Sequence, residues 1–308
     1  MEYKIYVSSP KYTPERLISA NGIEIAYDSY GNQEDPAIIL IMGLATQMIF
    51  WESTFCEYLA SNGYHVIRFD NRDVGKSTWF DGAAAPSHLA LLANIVLGRP
   101  LHGPYSLDDM ATDTLGLMDQ LNIDQAHIVG ASMGGMIAQT LAIKAPHRVK
   151  TLTSIMSTTG DRQLPKPRFT FLKNLFKRPP KKAEQFVPFG LALWQALHGD
   201  TYGFQEGKIT ELLTLSVNRG INPKSNIRQL AAILSASDRT EALKDVTVPS
   251  LVIHGASDPL IPVASGYATA NALANAKLKV YPGMGHTLPE ELLTDVANDI
   301  LGLIKYSN

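Results

Sequence analysis

The chain has 308 residues, of which 45% are hydrophobic and 18% are charged, values typical of a folded protein large enough to bury a sizeable core. Its formal net charge of -2 gives no general attraction to nucleic acid or to an anionic membrane. The single cysteine, Cys56, excludes an internal disulfide and a cysteine-based zinc site, and we interpret it as a buried apolar residue.

The N-terminus has no apolar stretch of the kind found in signal peptides. The longest apolar runs, residues 37–45 and 89–97, reach only about half of a membrane span. We therefore predict a cytoplasmic protein without stable membrane insertion.

The first predicted elements form a hairpin followed by a strand-helix-strand unit. Asn21-Gly22 separates two alternating apolar stretches, which predicts an antiparallel pair. Two continuously apolar runs then follow, as expected of strands covered on both faces. The predicted strands are residues 16–20, 23–30, 37–42 and 66–69, with a helix over residues 50–60 before the last of them.

The connection over residues 70–105 is unusually long, and such segments often have a function. Its apolar middle, residues 88–97, predicts a short helix near the mouth of a site or, alternatively, a helix that covers part of the core. Ser106 with Asp109 forms a capping box that begins the next helix. That helix leads to an apolar strand at residues 126–129.

The motif Gly130-Ala131-Ser132-Met133-Gly134 lies directly between this strand and a helical stretch that ends at Ala145. A Gly-x-Ser-x-Gly turn lets strand and helix pass close together and pushes the serine hydroxyl out at the carboxyl end of a sheet. The context favours Ser132 as a nucleophile over an ordinary tight turn.

The remaining chain predicts a helical segment inserted into the sheet. Strands are predicted at residues 149–156, 248–254 and 278–281, the last of them an edge strand, with a terminal helix over residues 289–304. Helices alone are predicted between residues 160 and 243, near 191–197, 209–217 and 227–235. Alternating strands and helices predict an α/β fold with a mostly parallel, doubly wound sheet. We predict a core of residues 1–159 and 244–308 and a helical cap of residues 160–243.

A serine nucleophile needs a histidine base and a carboxylate that orients it. In a parallel sheet these groups should follow the carboxyl ends of strands. Asp258 and His286 follow the last two predicted strands, in the chain order expected for this architecture. Asp161 is the alternative acid.

The other histidines are predicted to have no catalytic role. We expect His65, His127 and His254 to be packed beside strands, and four others to be loop or surface residues: His88, His102, His147 and His198.

Two backbone N–H groups should stabilise the oxyanion of the tetrahedral intermediate. Met133, directly after the nucleophile, is one candidate, and its position at a helix N-terminus favours an anion. The other should lie in the loop after the strand at residues 37–42. Gly43 permits a turn there, so the amide of Leu44 is the second candidate.

Together these motifs resemble the α/β-hydrolase superfamily, most closely the serine esterases of the aclacinomycin methylesterase type. The segments that carry the resemblance are residues 41–44, 69–77, 130–135, 254–259 and 282–286. It implies Ser132 as nucleophile, Asp258 as acid, His286 as base, Leu44 and Met133 as oxyanion donors, and a cap that roofs the site. Many relatives have His-Gly where this chain has Met42-Gly43, which should make the rim more apolar. Residues 70–77 resemble a structural segment, and we assign them no catalytic role.

The predicted function is hydrolysis of small to medium hydrophobic carboxylic esters, without a metal or organic cofactor and with a small-molecule ester as the only expected partner. A lactonase, a thioesterase or a C–C bond hydrolase would use the same triad, and a non-catalytic small-ligand binder is the alternative from another class. The sequence does not indicate an oligomeric state.

Within the cap, eight basic residues oppose one acid, Asp161, over residues 161–182. We interpret them as a solvated face, with an anionic substrate or membrane surface as the alternative. The basic residues are Arg162, Lys166, Arg168, Lys173, Lys177, Arg178, Lys181 and Lys182. Aromatic residues of the cap are predicted to form mostly its own core, with a substrate roof as the alternative: Trp194 and Phe169, Phe171, Phe176, Phe186 and Phe189.

Overall fold

A computed structural model describes residues 10–167, 180 and 182–307. One eight-stranded sheet, in the order β1-β2-β4-β3-β5-β6-β7-β8, organises the chain. Its strands are β1 (Tyr12–Ala20), β2 (Ile23–Tyr30), β3 (Ala37–Ile41), β4 (His65–Phe69), β5 (Ala126–Ala131), β6 (Val149–Ile155), β7 (Ser250–Gly255) and β8 (Ala276–Tyr281).

Ten α-helices lie in the described residues. They are α1 (Ser53–Ser61), α2 (His88–Leu97), α3 (Leu107–Gln120), α4 (Met133–Lys144), α5 (Phe186–Leu197), α6 (Glu206–Arg219), α7 (Pro223–Ser235), α8 (Thr240–Leu243), α9 (Ala264–Ala272) and α10 (Leu293–Ser307). Short 3-10 turns lie at Met48–Phe50, Pro146–Arg148, Ala183–Gln185 and Glu290–Leu292.

The sheet is antiparallel at one end and parallel elsewhere. β1 pairs with β2, and β2 with β4, in antiparallel fashion. The remaining pairs, β4-β3, β3-β5, β5-β6, β6-β7 and β7-β8, are parallel. Asn21 (φ 49°) and Gly22 (φ 76°) form the turn between β1 and β2, as the predicted hairpin requires. The predicted mostly parallel α/β sheet and the edge position of β8 are confirmed.

Two apolar cores cover the two faces of the sheet. Along β3, Ile39 and Ile41 pack into one core and Ile38 and Leu40 into the other, as the two-residue period of a strand dictates. Cys56 is fully buried in the second core, as predicted. Because β3 is buried on both faces, its sequence is one continuous apolar run.

Several element boundaries differ from the predicted ones. The helix predicted from residue 50 begins at Ser53, after a 3-10 turn, and the terminal helix begins at Leu293, also after such a turn. α5 begins five residues earlier than predicted, at Phe186, because Pro188 lies in its first turn, where a missing N–H is tolerated.

Helices α5, α6 and α7 lie between β6 and β7 in the chain, inside the predicted cap. No β-strand occurs in the described part of this segment. The division into a core and a cap of residues 160–243 stays a prediction. Five of the eight basic residues and Phe169, Phe171 and Phe176 lie outside the described residues.

Candidate active site

The Gly-x-Ser-x-Gly motif forms a sharp turn between β5 and α4. Ser132 adopts φ 56° and ψ -118°, a strained conformation for a residue with a Cβ. A Cβ on Gly130 would overlap the Gly134 carbonyl, and one on Gly134 would overlap the Ile41 carbonyl. The two glycines are therefore required by the close approach of strand and helix, which holds the Ser132 hydroxyl at the carboxyl end of β5.

Ser132, His286 and Asp258 lie in one hydrogen-bonded row. His286 Nε2 is 2.9 Å from Ser132 Oγ, and His286 Nδ1 is 2.6 Å from Asp258 Oδ2. The Ser132 hydroxyl can donate to Nε2 when Nδ1–H donates to the carboxylate. This arrangement lets the imidazole take the serine proton while the carboxylate stabilises the resulting imidazolium.

The Asp258 carboxylate is held by its own loop. Oδ1 accepts hydrogen bonds from the amides of Leu260 and Ile261, both 2.8 Å away, which leaves Oδ2 for His286. His254 lies 3.6 Å from the same Oδ2, but burial lowers the pKa of its imidazole. Neutral His254 can donate from Nε2 to the Ile261 carbonyl at 2.8 Å, so it supports the loop without adding a charge.

The alternative acid, Asp161, is engaged elsewhere. Its carboxylate accepts a hydrogen bond from the amide of Gln163 at 2.8 Å, and it makes no hydrogen bond to His286 in the described structure. The acid in the hydrogen-bonded row with His286 and Ser132 is therefore Asp258 rather than Asp161.

The two predicted oxyanion donors flank the serine. Gly43 packs so closely that a Cβ on it would lie 3.1 Å from the Ser132 Cβ, which brings the loop of Leu44 against the nucleophile. Within the described residues, the amides of Leu44 and Met133 have no hydrogen-bond acceptor. Two free N–H groups beside a nucleophile are suited to an oxyanion, and their role stays a prediction.

A cavity of about 170 Å³ lies over Ser132 and His286. Its wall is largely apolar, and Trp194 of α5 stacks on Phe50 with ring centroids 4.6 Å apart. The other apolar wall residues are Met42, Leu44, Met156, Leu193, Leu197, Ile209, Leu212, Leu260, Leu288 and Leu293. Helices α5 and α6 thus roof the site. Among the described cap aromatics, Trp194 lines the cavity and Phe186 and Phe189 do not.

A larger cavity of about 470 Å³ lies elsewhere, between residues 100–106 and the end of α7. Neither Ser132 nor His286 lines this larger cavity, whereas both line the smaller one. Helix α2 packs on α7, where Leu91 contacts the core around Ala231, and it contributes no described residue to the wall of the smaller cavity. The structure thus does not support its predicted place at the mouth of the site.

One carboxylate, Glu52, lies in the largely apolar wall of this cavity. It forms an ion pair with Lys208 of α6, and Lys208 also lies 3.4 Å from Glu290. Burial opposes the charge on Lys208, but the contact with Glu52 outweighs it and raises the pKa of Lys208. Two carboxylates share this one cation, and of the three charged groups only Glu52 is among the described lining residues. Sequence patterns did not identify Glu52.

The loop of His286 is hydrogen-bonded to the end of α5. The amide of His286 donates to the Leu197 carbonyl at 2.6 Å, and the amide of Gly285 donates to the His198 carbonyl at 3.1 Å. His198 is buried, and its Nδ1 lies 2.9 Å from Thr287 Oγ1. Of the two predicted settings, a loop or the surface, the first is right: His198 follows the last residue of α5 but is buried. The reason is that this contact forms only when the helix packs on the histidine loop.

The segment over residues 70–77 anchors the cap. Arg219 of α6 contacts Asp70 at 2.8 Å, and Arg228 of α7 contacts Asp73 at 2.7 Å. All four side chains are at least nine-tenths buried. The segment, to which we assigned no catalytic role, contacts helices α6 and α7 through these ion pairs.

Of the eight basic residues in the predicted solvated face, Arg162, Lys166 and Lys182 are described, and all three are exposed.

None of the described helices has the length and apolar character needed to cross a bilayer. The cytoplasmic location stays a prediction. Over the described ranges, no group of three His, Cys, Asp or Glu side chains is placed to hold a metal ion.

The chain is similar to known proteins over most of its length. Residues 36–291 match the family described as alpha/beta hydrolase fold. The chain is 27% identical over 295 residues to rhodomycin D methylesterase of Streptomyces peucetius, covering 90% of this chain and 93% of that protein. It is also 26% identical over 273 residues to 3-oxoadipate enol-lactonase 2 of Acinetobacter baylyi, covering 88% and 90%.

Among solved structures, the enol-lactonase from Burkholderia xenovorans LB400 superimposes with a TM-score of 0.72 at 21% identity, covering 94% of this chain and 100% of that one. This similarity establishes the fold. The predicted resemblance to aclacinomycin methylesterase-type hydrolases is confirmed by the family match and the methylesterase relative.

Proposed function

Because the chain belongs to the α/β-hydrolase fold family, we propose that it is a serine hydrolase that cleaves carboxylic esters through an acyl-enzyme. The observation that carries the proposal is the row of Ser132, His286 and Asp258, with contacts of 2.9 and 2.6 Å. A serine hydroxyl is a weak nucleophile at neutral pH and needs such a base.

The reaction proceeds in two halves. Ser132 Oγ attacks the ester carbonyl carbon as His286 Nε2 takes its proton, and the amides of Leu44 and Met133 hold the oxyanion. The bond to the alcohol oxygen then breaks, and the alcohol leaves with the proton from His286. Water, deprotonated by the same imidazole, attacks the acyl-enzyme and releases the acid, while Ser132 recovers its proton. Asp258 stays ionised and fixes the imidazole tautomer.

The cavity wall supports an uncharged, apolar ester as the substrate class. Apart from Glu52, Thr46, Thr287 and the reacting groups, the described lining is apolar. Neither Lys nor Arg is among the described lining residues, so a carboxylate on the substrate would enter without a partner and beside Glu52. Burying an unpaired charge is costly.

The methylesterase relative supports ester cleavage directly. The enol-lactonase relative makes a lactone, an internal ester, the main alternative. The same row of side chains would open either bond. A panel of nitrophenyl esters of graded acyl length, assayed beside lactones and thioesters, distinguishes these substrates.

A fluorophosphonate probe tests the nucleophile. We expect one covalent adduct on the wild-type protein, located at Ser132 by peptide mass spectrometry, and none on Ser132→Ala. The control is Ser257→Ala, because the Ser257 hydroxyl lies 3.3 Å from Asp200 and, within the described residues, makes no hydrogen bond to His286. An unlabelled wild-type protein that binds esters without turnover would instead support the small-ligand binder.

A further inference from the structure

We propose that Gln229, on helix α7, is a positioning residue for the oxyanion loop, defined as residues 43–46. The inference rests on the proposed function, because it concerns the amide of Leu44. Gln229 lies outside every motif in the sequence analysis and does not line the cavity. It acts through the loop rather than on the substrate.

Gln229 joins the oxyanion loop to the segment that anchors the cap. The Ala45 amide donates to Gln229 Oε1 at 2.8 Å, and Gln229 Nε2 donates to the Arg72 carbonyl at 2.8 Å. The side chain is 0% exposed, so water cannot replace either hydrogen bond without opening the packing. Both polar ends of this buried amide are therefore committed to backbone groups.

The loop needs such a support because Ala45 is strained. Its φ of 57° lies in the left-handed region, which a residue with a Cβ adopts only when its surroundings enforce it. The peptide between Leu44 and Ala45 is held from both sides, since Thr46 Oγ1 donates to the Leu44 carbonyl at 3.0 Å. A planar peptide fixed at both its N–H and its C=O restricts rotation at Leu44. The proposed donor, the Leu44 N–H, is thereby kept beside Ser132.

Helix α7 is itself fixed at this point. Arg228, the preceding residue, makes two hydrogen bonds to Asp73, each 2.7 Å long. Tyr105 donates to the same carboxylate at 2.6 Å. Gln229 therefore reaches the oxyanion loop from a rigid position, and the loop has its reactive shape only when α7 is seated on the core.

The test compares Gln229→Met with Gln139→Met in the full-length protein. Gln139 is the matched control, because it is also a fully buried glutamine with two side-chain hydrogen bonds, to Ser154 and Arg239, and neither partner belongs to residues 43–46. We expect Gln229→Met to lower kcat by about 10- to 100-fold with KM changed less than about 3-fold, since loss of a whole oxyanion donor costs about 100- to 1,000-fold. Gln139→Met should keep kcat within about 3-fold at a similar loss of melting temperature.

A boronic acid that forms a tetrahedral adduct with the serine gives a readout that stability alone does not move. Its affinity should fall in parallel with kcat/KM for Gln229→Met, because it samples the oxyanion site. Gln229→Glu keeps an acceptor for the Ala45 amide, and its carboxyl, which burial favours in the protonated form, can donate to the Arg72 carbonyl. This variant should therefore restore most of the kcat. Gln229→Asn is polar but too short to reach Ala45, so it should lose kcat as the Met variant does. If the Met variant does not fold, the Asn variant replaces it as the test of the positioning role.

The inference about Gln229 would be overturned by equal kcat for the Gln229 and Gln139 variants, or by an unchanged boronic acid affinity in Gln229→Met. Either result would leave the proposed function standing. A wild-type protein that neither reacts with fluorophosphonate nor hydrolyses any ester would overturn the proposed function, and the inference with it. The two failures are thus distinguished by the wild-type control.

Discussion

The sheet core and the cap helices contribute to the site in different ways. The core carries the proposed reacting groups, Ser132, Asp258 and His286, in loops at strand ends, and contacts within the core position Ser132 and Asp258. The cap supplies cavity walls such as Trp194, and it holds two core loops in place through hydrogen bonds and buried ion pairs.

Because of this difference, the loss of a reacting group and the misplacement of a reacting group can be tested separately. Changes to the core groups should abolish the reaction while leaving the fold intact. Changes at the contacts between cap and core should misplace the same groups by small distances, and such misplacement alone is costly for catalysis. Changes to the cavity wall should alter only which substrate is accepted.

The largest effect is expected at the core, from Asp258→Asn. The two amides on Oδ1 would keep the Asn oxygen in place and turn its NH₂ toward His286 Nδ1. That donor would enforce the wrong imidazole tautomer, and we expect kcat to fall by about 10,000-fold. Steady-state kinetics on a nitrophenyl ester measures the effect, with circular dichroism as the folding control. A loss below about 10-fold would contradict the role of Asp258.

A smaller effect is expected where the cap meets the histidine loop, from Gly285→Ala. The new Cβ would overlap the Leu197 carbonyl and crowd the Gly199 amide, so either the cap or His286 must shift. We expect kcat/KM to fall by about 10- to 100-fold. Gly302→Ala in α10 is the control, since its Cβ would meet nothing within 4 Å and a helical alanine is favourable. If both variants keep full activity, the cap does not align the base.

The smallest effect is expected at the cavity wall, from Glu52→Gln. Removing this charge leaves Lys208 facing Glu290 alone, so the repulsion toward a substrate carboxylate weakens. We expect kcat/KM for the nitrophenyl monoester of a dicarboxylic acid to rise about 5- to 10-fold relative to a neutral ester of equal length, as a Coulomb term of about 1 kcal/mol implies. High salt should shrink the difference. An unchanged ratio would show that Glu52 does not select substrate charge.

Sequence patterns alone predicted the mostly parallel sheet, the Ser132 turn and the strand-end positions of Asp258 and His286. These features follow from local rules: hydrophobic period, glycines where backbones cross, and loops after parallel strands. Exact helix ends were less well determined, because 3-10 turns precede both α1 and α10.

The contacts between the cap helices and the site could not be predicted before the folded molecule was known. The hydrogen bond from Ala45 to Gln229 joins residues 184 positions apart, and Glu52, His198 and Arg228 likewise meet partners distant in the chain. None of these residues belongs to a motif of fixed spacing. Their roles depend on which surfaces the packed cap brings together, and such long-range contacts leave no periodic signal in the sequence.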